Sequence, residues 1–299
     1  MHIPRSWNSS IGVQRQFGNS MSIQVDYVHT QGSHEKDVLD NANLAYNPAT
    51  GANYAFTNAN RGLLPWPSAG VISMIDYIAT SNLRSLQTAF TKRMANHWQA
   101  SASYTLSRTS NFDQLPLNPG CQYPVTTVAG SGVYRCDVAV ALPDYISEND
   151  WYAGKDQHNR VTFNGIWEAP YGLQLSGLYI FGDNGWETAQ AGVDVLNQGA
   201  AGQVSAQGRL RANGSVIERN GIDLPSIHRV DMRLQKRISI TQKFKVDGIF
   251  EIFNVFNRKN FDPTLFTLNE QNARYGQPNA STTTAYSPRM LQFGFRTQF

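Results

Sequence analysis

The sequence lacks any apolar run long enough to form a membrane-spanning helix. Its longest nearly apolar stretch, residues 248–256, is nine residues long and includes Glu251, whereas a spanning helix needs roughly 20 apolar residues. Helical spanning is therefore excluded. A transmembrane β-barrel remains compatible with the mean hydropathy of −0.39, because only alternate residues of a barrel strand face lipid.

Charge is also scarce. Asp, Glu, Lys and Arg make up 16% of the chain and the formal net charge is only +3. Lys and Arg form no stripe or cluster, so we expect no nucleic-acid partner. The first seven residues have no apolar segment of the kind found in a signal peptide. Since an exported barrel needs such a signal, the sequence is expected to be a fragment of a longer protein.

Motifs of catalysis and metal binding are missing too. There is no nucleophile motif and no glycine-rich loop that would cradle a phosphate. The six histidines are scattered, and apart from His29 and His34 no two are close enough in sequence to suggest shared ligation. We therefore expect no enzymatic activity, no cofactor and no metal.

What the chain does have is alternation of apolar and polar residues with period two. This pattern is typical of strands with two different faces. Residues 98–108 show it most clearly, with Trp98, Ala100, Ala102, Tyr104 and Leu106 on one face. The pattern predicts nine strands: 6–17, 21–30, about 71–94 with a membrane part at 83–93, 98–108, 158–169, 173–181, 228–240, 244–256 and 290–299.

The predicted strands are mostly 10–13 residues long, whereas globular strands average about 5–6 and a tilted transmembrane strand needs about 9–11. Turns of about three residues alternate with longer loops at 31–70, about 109–157, from the sixth strand to about 227, and from 257 to about 288. Outer-membrane barrels alternate short periplasmic turns with long extracellular loops in this way. A soluble β-sandwich that binds carbohydrate is the more distant alternative.

The two strand faces carry different residues. Near strand ends, six aromatic residues are predicted to face lipid and anchor the barrel at the headgroups; they are Tyr27, Trp98, Tyr104, Trp167, Tyr179 and Phe299. Eight charged residues are predicted to face the lumen, either contacting a plug or solute or pairing across strands in a hydrated wall; they are Arg160, Glu168, Asp231, Arg233, Arg237, Lys245, Asp247 and Glu251.

The two cysteines lie in one predicted loop. Cys121 and Cys136 are separated by 14 residues, and an exported loop meets an oxidising environment. A disulfide is predicted between them, with two free thiols or a metal pair as the alternatives.

Nine strands is an odd number, whereas single-chain bacterial barrels have an even number. Lipid also requires every backbone group to be paired, so the sheet must close. The expectation is an open, curved partial barrel whose first and last strands, represented by Ile11 and Phe295, do not meet.

The last 75 residues resemble the TonB-dependent receptor family. The resemblance lies in HRVDMRLQKR at 228–237, FEIFNVFN at 250–257 and NF at 260–261, followed by a final alternating strand that ends on Phe299. Residues 86–93 and 104–107, together with 7–17 and 25–27, resemble the Oar-like branch, whose complete members carry a carboxypeptidase-regulatory-like N-terminal domain.

The resemblance implies a C-terminal segment, residues 1–299, of a barrel that closes with 22 strands around a plug. It implies location in the outer membrane, with lipid, the rest of the barrel, the plug and the TonB complex as partners. The plug, the TonB-contacting segment and the signal peptide are absent from this sequence. Leu291, Phe293, Phe295 and Phe299 are similar to the C-terminal signal read by the barrel-assembly machinery.

The function implied is energised uptake of a large solute by a receptor. The alternative is a passive porin-like barrel or an adhesion barrel of the outer membrane. The solute itself cannot be read from the sequence.

Overall fold

The computed structural model describes residues 3–39, 43, 45–47, 52–72, 74–112, 157–195, 197, 209, 211–213, 215, 217, 218, 220–280 and 284–299. Strands dominate these residues, with short 3-10 turns at Asn58–Leu63, Pro170–Gly172 and Pro263–Leu265. Among them, no helix is long and apolar enough to cross a membrane.

The strands, in chain order, are β1 (Arg5–Phe17), β2 (Met21–Leu39), β3 (Tyr46–Asn47), β4 (Ala52–Asn53), β5 (Met74–Ala95), β6 (Trp98–Phe112), β7 (Asn159–Ala169), β8 (Leu173–Gly182), β9 (Trp186–Glu187), β10 (Ile222–Asp223), β11 (Ile227–Ser239), β12 (Lys245–Phe253) and β13 (Met290–Gln298).

Nine of these strands form one antiparallel sheet in the order β1-β2-β5-β6-β7-β8-β11-β12-β13. Each long strand pairs with its nearest long neighbours in sequence, as in an up-and-down barrel. In this sheet β1 pairs only with β2, and β13 pairs only with β12. The sheet is therefore a partial barrel with two open edges, and the predicted all-β fold with nine spanning strands is confirmed.

Period-two alternation gives the sheet an apolar outer face. Apolar side chains on this face are unusually exposed, such as Ile11 at 73% and Phe293 at 76%. The register places them beside one another across strands, as in Leu234, Phe250 and Phe293. A contiguous apolar surface of this kind is typical of contact with lipid.

The short turns between long strands are built with left-handed backbone conformations. Asn96 and His97 have φ of 53° and 67°, and Gly172 has φ of 73°. A Cβ at Gly172 would lie 2.9 Å from the carbonyl oxygen of Arg237. This turn therefore requires glycine both for its backbone angle and for the close approach of β11.

The ends of three strands differ clearly from the sequence prediction. β6 continues to Phe112 instead of ending at 108. β2 continues to Leu39, although 31–70 was predicted to be a loop, because its polar upper part pairs with the start of β5. Pairing of backbone groups above the apolar band does not need an apolar face, so alternation could not reveal it. β12 ends at Phe253 rather than 256, because Asn254 adopts φ of 53° and turns the chain out of the ladder.

Candidate functional site: the charged inner wall and the folded loops

The inner face of the last three strands carries an ion cluster centred on Asp247. Arg237 Nε lies 2.7 Å from Oδ1 of Asp247, and Arg296 Nη2 lies 2.8 Å from Oδ2. The Asp247 side chain is only 1% exposed because the two guanidinium groups cover both of its oxygens, whereas the arginines themselves remain 41% and 52% exposed. The carboxylate thus joins three strands at one point of an otherwise open surface.

The strand register explains this cluster. Arg237 is directly opposite Asp247, and Asp247 is directly opposite Arg296, so all three side chains leave the sheet on the same face. Directly opposed residues of opposite charge are the arrangement that stabilises a sheet. A shift of one residue in either ladder would point one partner toward lipid.

Two more ion pairs extend the cluster toward the loops. Arg233 Nη1 lies 3.8 Å from Glu251 Oε1 across the β11–β12 ladder. Arg229 Nη2 lies 2.7 Å from Asp231 Oδ2 on the same face of β11. The charges therefore form a ladder that runs up the inner wall.

All eight charged residues predicted to face the lumen lie on this inner face. The structure brings five of them together in the pairs just described: Asp231, Arg233, Arg237, Asp247 and Glu251. Arg160, Glu168 and Lys245 share the face by register but stand apart from these pairs. Ion pairing across strands and along β11 is what the described residues display, and contact with a plug or solute stays a prediction.

A cavity of about 600 Å³ opens on the inner wall beside the short turns. Its lining combines turn residues with polar side chains of the inner face, among them His97, Glu168, Gln174, Gln235 and Arg237. The cavity therefore presents both signs of charge at the end of the wall opposite the long loops.

Asparagines shape the corner that follows β12, where the sequence reads FNVFNRKNF. Asn254 is 2% exposed, and its backbone N donates to Asp231 Oδ1 at 2.8 Å. Its side-chain nitrogen donates to the carbonyl oxygens of Arg258 and Ser287, and its side-chain oxygen accepts from Arg258 N. Asn260, 1% exposed, accepts from His228 N at 2.8 Å.

This corner gives a physical role to the motif that carried the family resemblance. Asparagine tolerates the left-handed backbone and can also bond to nearby backbone groups. The sequence showed the motif but not these bonds, because the partners Asp231, His228 and Ser287 lie 23 to 33 residues away.

The long loops after β8 and β12 pack against each other. Ala189, Ala191 and Ile217 are buried together in a small apolar core. Arg211 donates two hydrogen bonds of 2.7 Å to the Glu270 carboxylate. Gln271 also donates to Ala191 O, and Gln190 pairs with Asn269. These residues form a folded loop layer above the sheet, in two segments that the sequence predicts simply as long loops.

The loop layer perturbs two ionisable groups. Because Arg211 donates hydrogen bonds to it, Glu270 has a pKa below its ordinary value. Burial beside Glu270 raises the pKa of Tyr275 above its ordinary value. Both shifts follow from the packing of one loop on the other.

The loop after β2 reaches the same layer. Asn43 is fully buried and holds its own loop closed by donating to Trp66 O and Gly70 O while accepting from Trp66 N. Asn197 donates to Asn53 O at 2.8 Å. The Asn197 side chain thus links the loop after β8 to the loop after β2.

The remaining predicted sites fall on the outer face or outside the described residues. The four residues of the predicted assembly signal lie on the outer face at the last strand: Leu291, Phe293, Phe295 and Phe299. The ring centroid of Phe293 lies 4.8 Å from that of Phe250, and the centroid of Phe299 lies 6.4 Å from that of Phe244. Their reading by an assembly machinery stays a prediction. Cys121 and Cys136 lie outside the described residues.

The six aromatic residues predicted to face lipid all occupy the alternate positions that belong to the outer face. Trp98 is directly opposite Trp167 beside the short turns. Tyr104 donates to Asn159 Oδ1 at 2.8 Å, and the Tyr179 hydroxyl lies 3.2 Å from His228 Nδ1. Such side chains combine an apolar ring with a polar end, which suits the border between hydrocarbon and headgroups.

An open antiparallel sheet of nine long strands, with an apolar outer face, a charged inner face and loops sorted by length, is the wall of an outer-membrane β-barrel. Residues 1–219 match the family described as the outer membrane beta barrel domain, and the chain belongs to that family. Its location in the outer membrane is accordingly confirmed. Comparison with curated proteins finds no significant match.

Solved receptors share this fold. The ferripyoverdine receptor of the outer membrane of Pseudomonas aeruginosa, bound to ferripyoverdine, superimposes with a TM-score of 0.50 at 11% identity, covering 99% of this chain and 27% of the receptor. The P. aeruginosa receptor FpvA bound to heterologous pyoverdines gives 0.50 at 10% identity, covering 98% and 27%. The chain thus spans about a quarter of the receptors that it resembles.

Proposed function

We propose that this chain is a segment of the barrel wall of a TonB-dependent receptor, and that the whole receptor takes up a large solute with energy delivered through TonB. The observation that carries the proposal is the charged inner wall. Asp247 is held between two arginines, and further ion pairs continue the ladder along β11 and β12. Such a wall suits a hydrated lumen that holds a polar plug.

Two further features support the proposal. The fold is that of receptors whose structures are known with ferripyoverdine or heterologous pyoverdines bound. The folded loop layer supplies a preformed surface above the lumen, and binding residues are often placed on loops that a rigid scaffold positions. In the proposal the loops contact the solute, and the chain has no enzymatic role.

The resemblance to the Oar-like branch refines the proposal. It implies that the rest of the protein carries a carboxypeptidase-regulatory-like domain, a plug and a TonB-contacting segment. The plug would contact the inner wall, including the cavity of about 600 Å³ beside the short turns. The closing strand β13, with Phe299 at its end, would be the part recognised by the barrel-assembly machinery.

The test compares growth on candidate solutes in cells that carry the full-length protein, with and without functional TonB. A receptor of the proposed kind supports uptake only when TonB is functional. Uptake that persists without TonB would identify a passive porin-like barrel. Cell attachment without any uptake would identify an adhesion barrel.

A further inference from the structure

Two arginines face each other on the apolar outer face, near the long loops. Arg84 on β5 is directly opposite Arg108 on β6, and both side chains are exposed. Like charges placed directly opposite each other destabilise a sheet. The carboxylates of the ion ladder lie on the other face, so they cannot neutralise this pair.

The arginines sit at the border of the membrane. Arg108 follows Trp98, at the short-turn end of β6, by ten residues. At about 3.3 Å per residue and a tilt of about 40°, this separation corresponds to about 25 Å across the membrane, which is the height of a barrel's apolar band. The apolar pair Leu86 and Leu106 lies two residues along each strand from the arginines, toward the short turns. Arg84 and Arg108 are therefore at the level of the headgroups.

Polar residues that can donate hydrogen bonds surround the pair. We call the following six outer-face residues the upper basic patch: His29, Gln31, Asn82, Arg84, Arg108 and Ser110. The patch contains no acidic residue. Within it, Asn82 Nδ2 lies 3.3 Å from His29 Nε2.

Cations at the opposite border of the apolar band behave differently. Lys92 donates to Ala95 O at 2.7 Å and Trp98 O at 2.8 Å, and its ammonium group lies 3.9 Å from the centre of the Trp98 ring. Lys236 donates to Tyr171 O in a neighbouring short turn. The lower cations thus have partners within the chain, whereas no ion pair or hydrogen bond joins the side chain of Arg84 or Arg108 to the described residues.

We propose that the upper basic patch binds the phosphate of a lipid in the outer leaflet of the membrane. Charge complementarity carries the proposal: two adjacent guanidinium groups, which pair with no carboxylate of the described residues, lie where lipid phosphates are found. Guanidinium groups bind phosphate oxygens through paired hydrogen bonds. A bound phosphate would turn the repulsion between Arg84 and Arg108 into two attractive contacts.

The test measures lipid phosphorus that remains with the full-length protein after purification from outer membranes in mild detergent. We expect the double variant Arg84→Gln/Arg108→Gln to retain lipid phosphate about tenfold less well, as loss of about 1.4 kcal/mol of binding would give. The matched control Lys243→Gln/Lys259→Gln removes the same charge from exposed positions outside the patch and should retain lipid like the unchanged protein.

A second measurement does not depend on whether the arginine variant folds. Ser110 is replaced by a photo-crosslinking benzoylphenylalanine in the otherwise unchanged protein, and the mass of the crosslinked lipid is determined. A phosphate-bearing lipid adduct supports the proposal, and an adduct without phosphate overturns it. Equal lipid retention by both double variants overturns it as well, as does release of the lipid by inorganic phosphate, which would show a site for free anions.

Discussion

The two ends of the sheet have similar outer faces but different inner faces. In the N-terminal half, strands β1, β2, β5 and β6 line the lumen mainly with neutral polar residues, such as Gln24, Gln87 and Ser103. In the C-terminal half, β11, β12 and β13 line it with the ion ladder around Asp247. The N-terminal carboxylate Asp26 bonds instead to Gln24, at 2.8 Å.

The comparison shows that contact with lipid restricts the residue types on the outer face, whereas contact with water permits several types on the inner face. Every outer position in the membrane must be compatible with hydrocarbon, so both halves converge on aromatic and aliphatic residues. The inner face meets water, and either neutral hydrogen bonding or paired charges can satisfy it. Differences between the halves should therefore appear in variants of the inner face and be absent in variants of the outer face.

The largest effect is expected from arginine on the outer face of either half. Phe250→Arg and Phe90→Arg should each lower the free energy of unfolding by about 2–4 kcal/mol, because both positions face lipid well inside the apolar band. Chemical unfolding of the protein in lipid vesicles would measure the loss.

The matched controls are the neighbouring inner positions, Ile249→Arg and Ala89→Arg. These controls should cost much less, since the new charge enters the hydrated lumen. A similar cost on both faces would show that the outer and inner faces are assigned wrongly. A large cost in one half alone would show that the outer faces of the two halves are not equivalent.

The next largest effect is expected at the corner after β12, which lies on the loop side of the C-terminal half. Asn254→Ala should lower the free energy of unfolding by about 2–3 kcal/mol, because alanine disfavours the left-handed backbone and leaves the buried backbone partners of the amide without bonds. Asn254→Gly keeps the backbone conformation and should cost less. Thermal unfolding of the two variants would separate the backbone contribution from the hydrogen bonds, and equal losses would assign the whole effect to the bonds.

A smaller effect is expected at the carboxylates of the inner face. Asp247→Asn should lower the unfolding temperature by several degrees, because Arg237 and Arg296 lose their shared partner but can still be hydrated. Asp26→Asn should leave the temperature unchanged within error, since among the described residues that carboxylate bonds to a neutral amide alone. If the two variants behave alike, the ion ladder does not distinguish the stability of the two halves.

Much of the sheet could be predicted from the sequence, because lipid imposes strict alternation. Trp98–Phe112 alternates so clearly that its start and its outer face follow from the residues alone. The continuation of β2 to Leu39 could not be predicted, because there the strand leaves lipid and its pairing with β5 is made by backbone groups.

The candidate site was less accessible to sequence reasoning. Alternation along the strand predicts that Asp247 lies on the inner face. Its pairing with Arg237 and Arg296 depends on the register of two ladders. Arg296 was not among the eight charged residues singled out as facing the lumen. The loop layer was missed altogether. Its contacts, such as Arg211 with Glu270, join residues 59 positions apart and follow no period.

The smallest effect is expected in the loop layer, outside the membrane, where pH is the probe. Hydrogen bonds from Arg211 hold the pKa of Glu270 below its ordinary value. A carboxylate with a lowered pKa in the folded state stabilises that state above the ordinary pKa, and the contribution is lost as the pH falls toward the lowered value. Protease cleavage of the loops should therefore increase modestly as the pH falls below the ordinary glutamate pKa of about 4.3. Glu270→Gln should show faster cleavage at neutral pH and lose this increase, whereas an unchanged pH dependence in Glu270→Gln would assign it to another group.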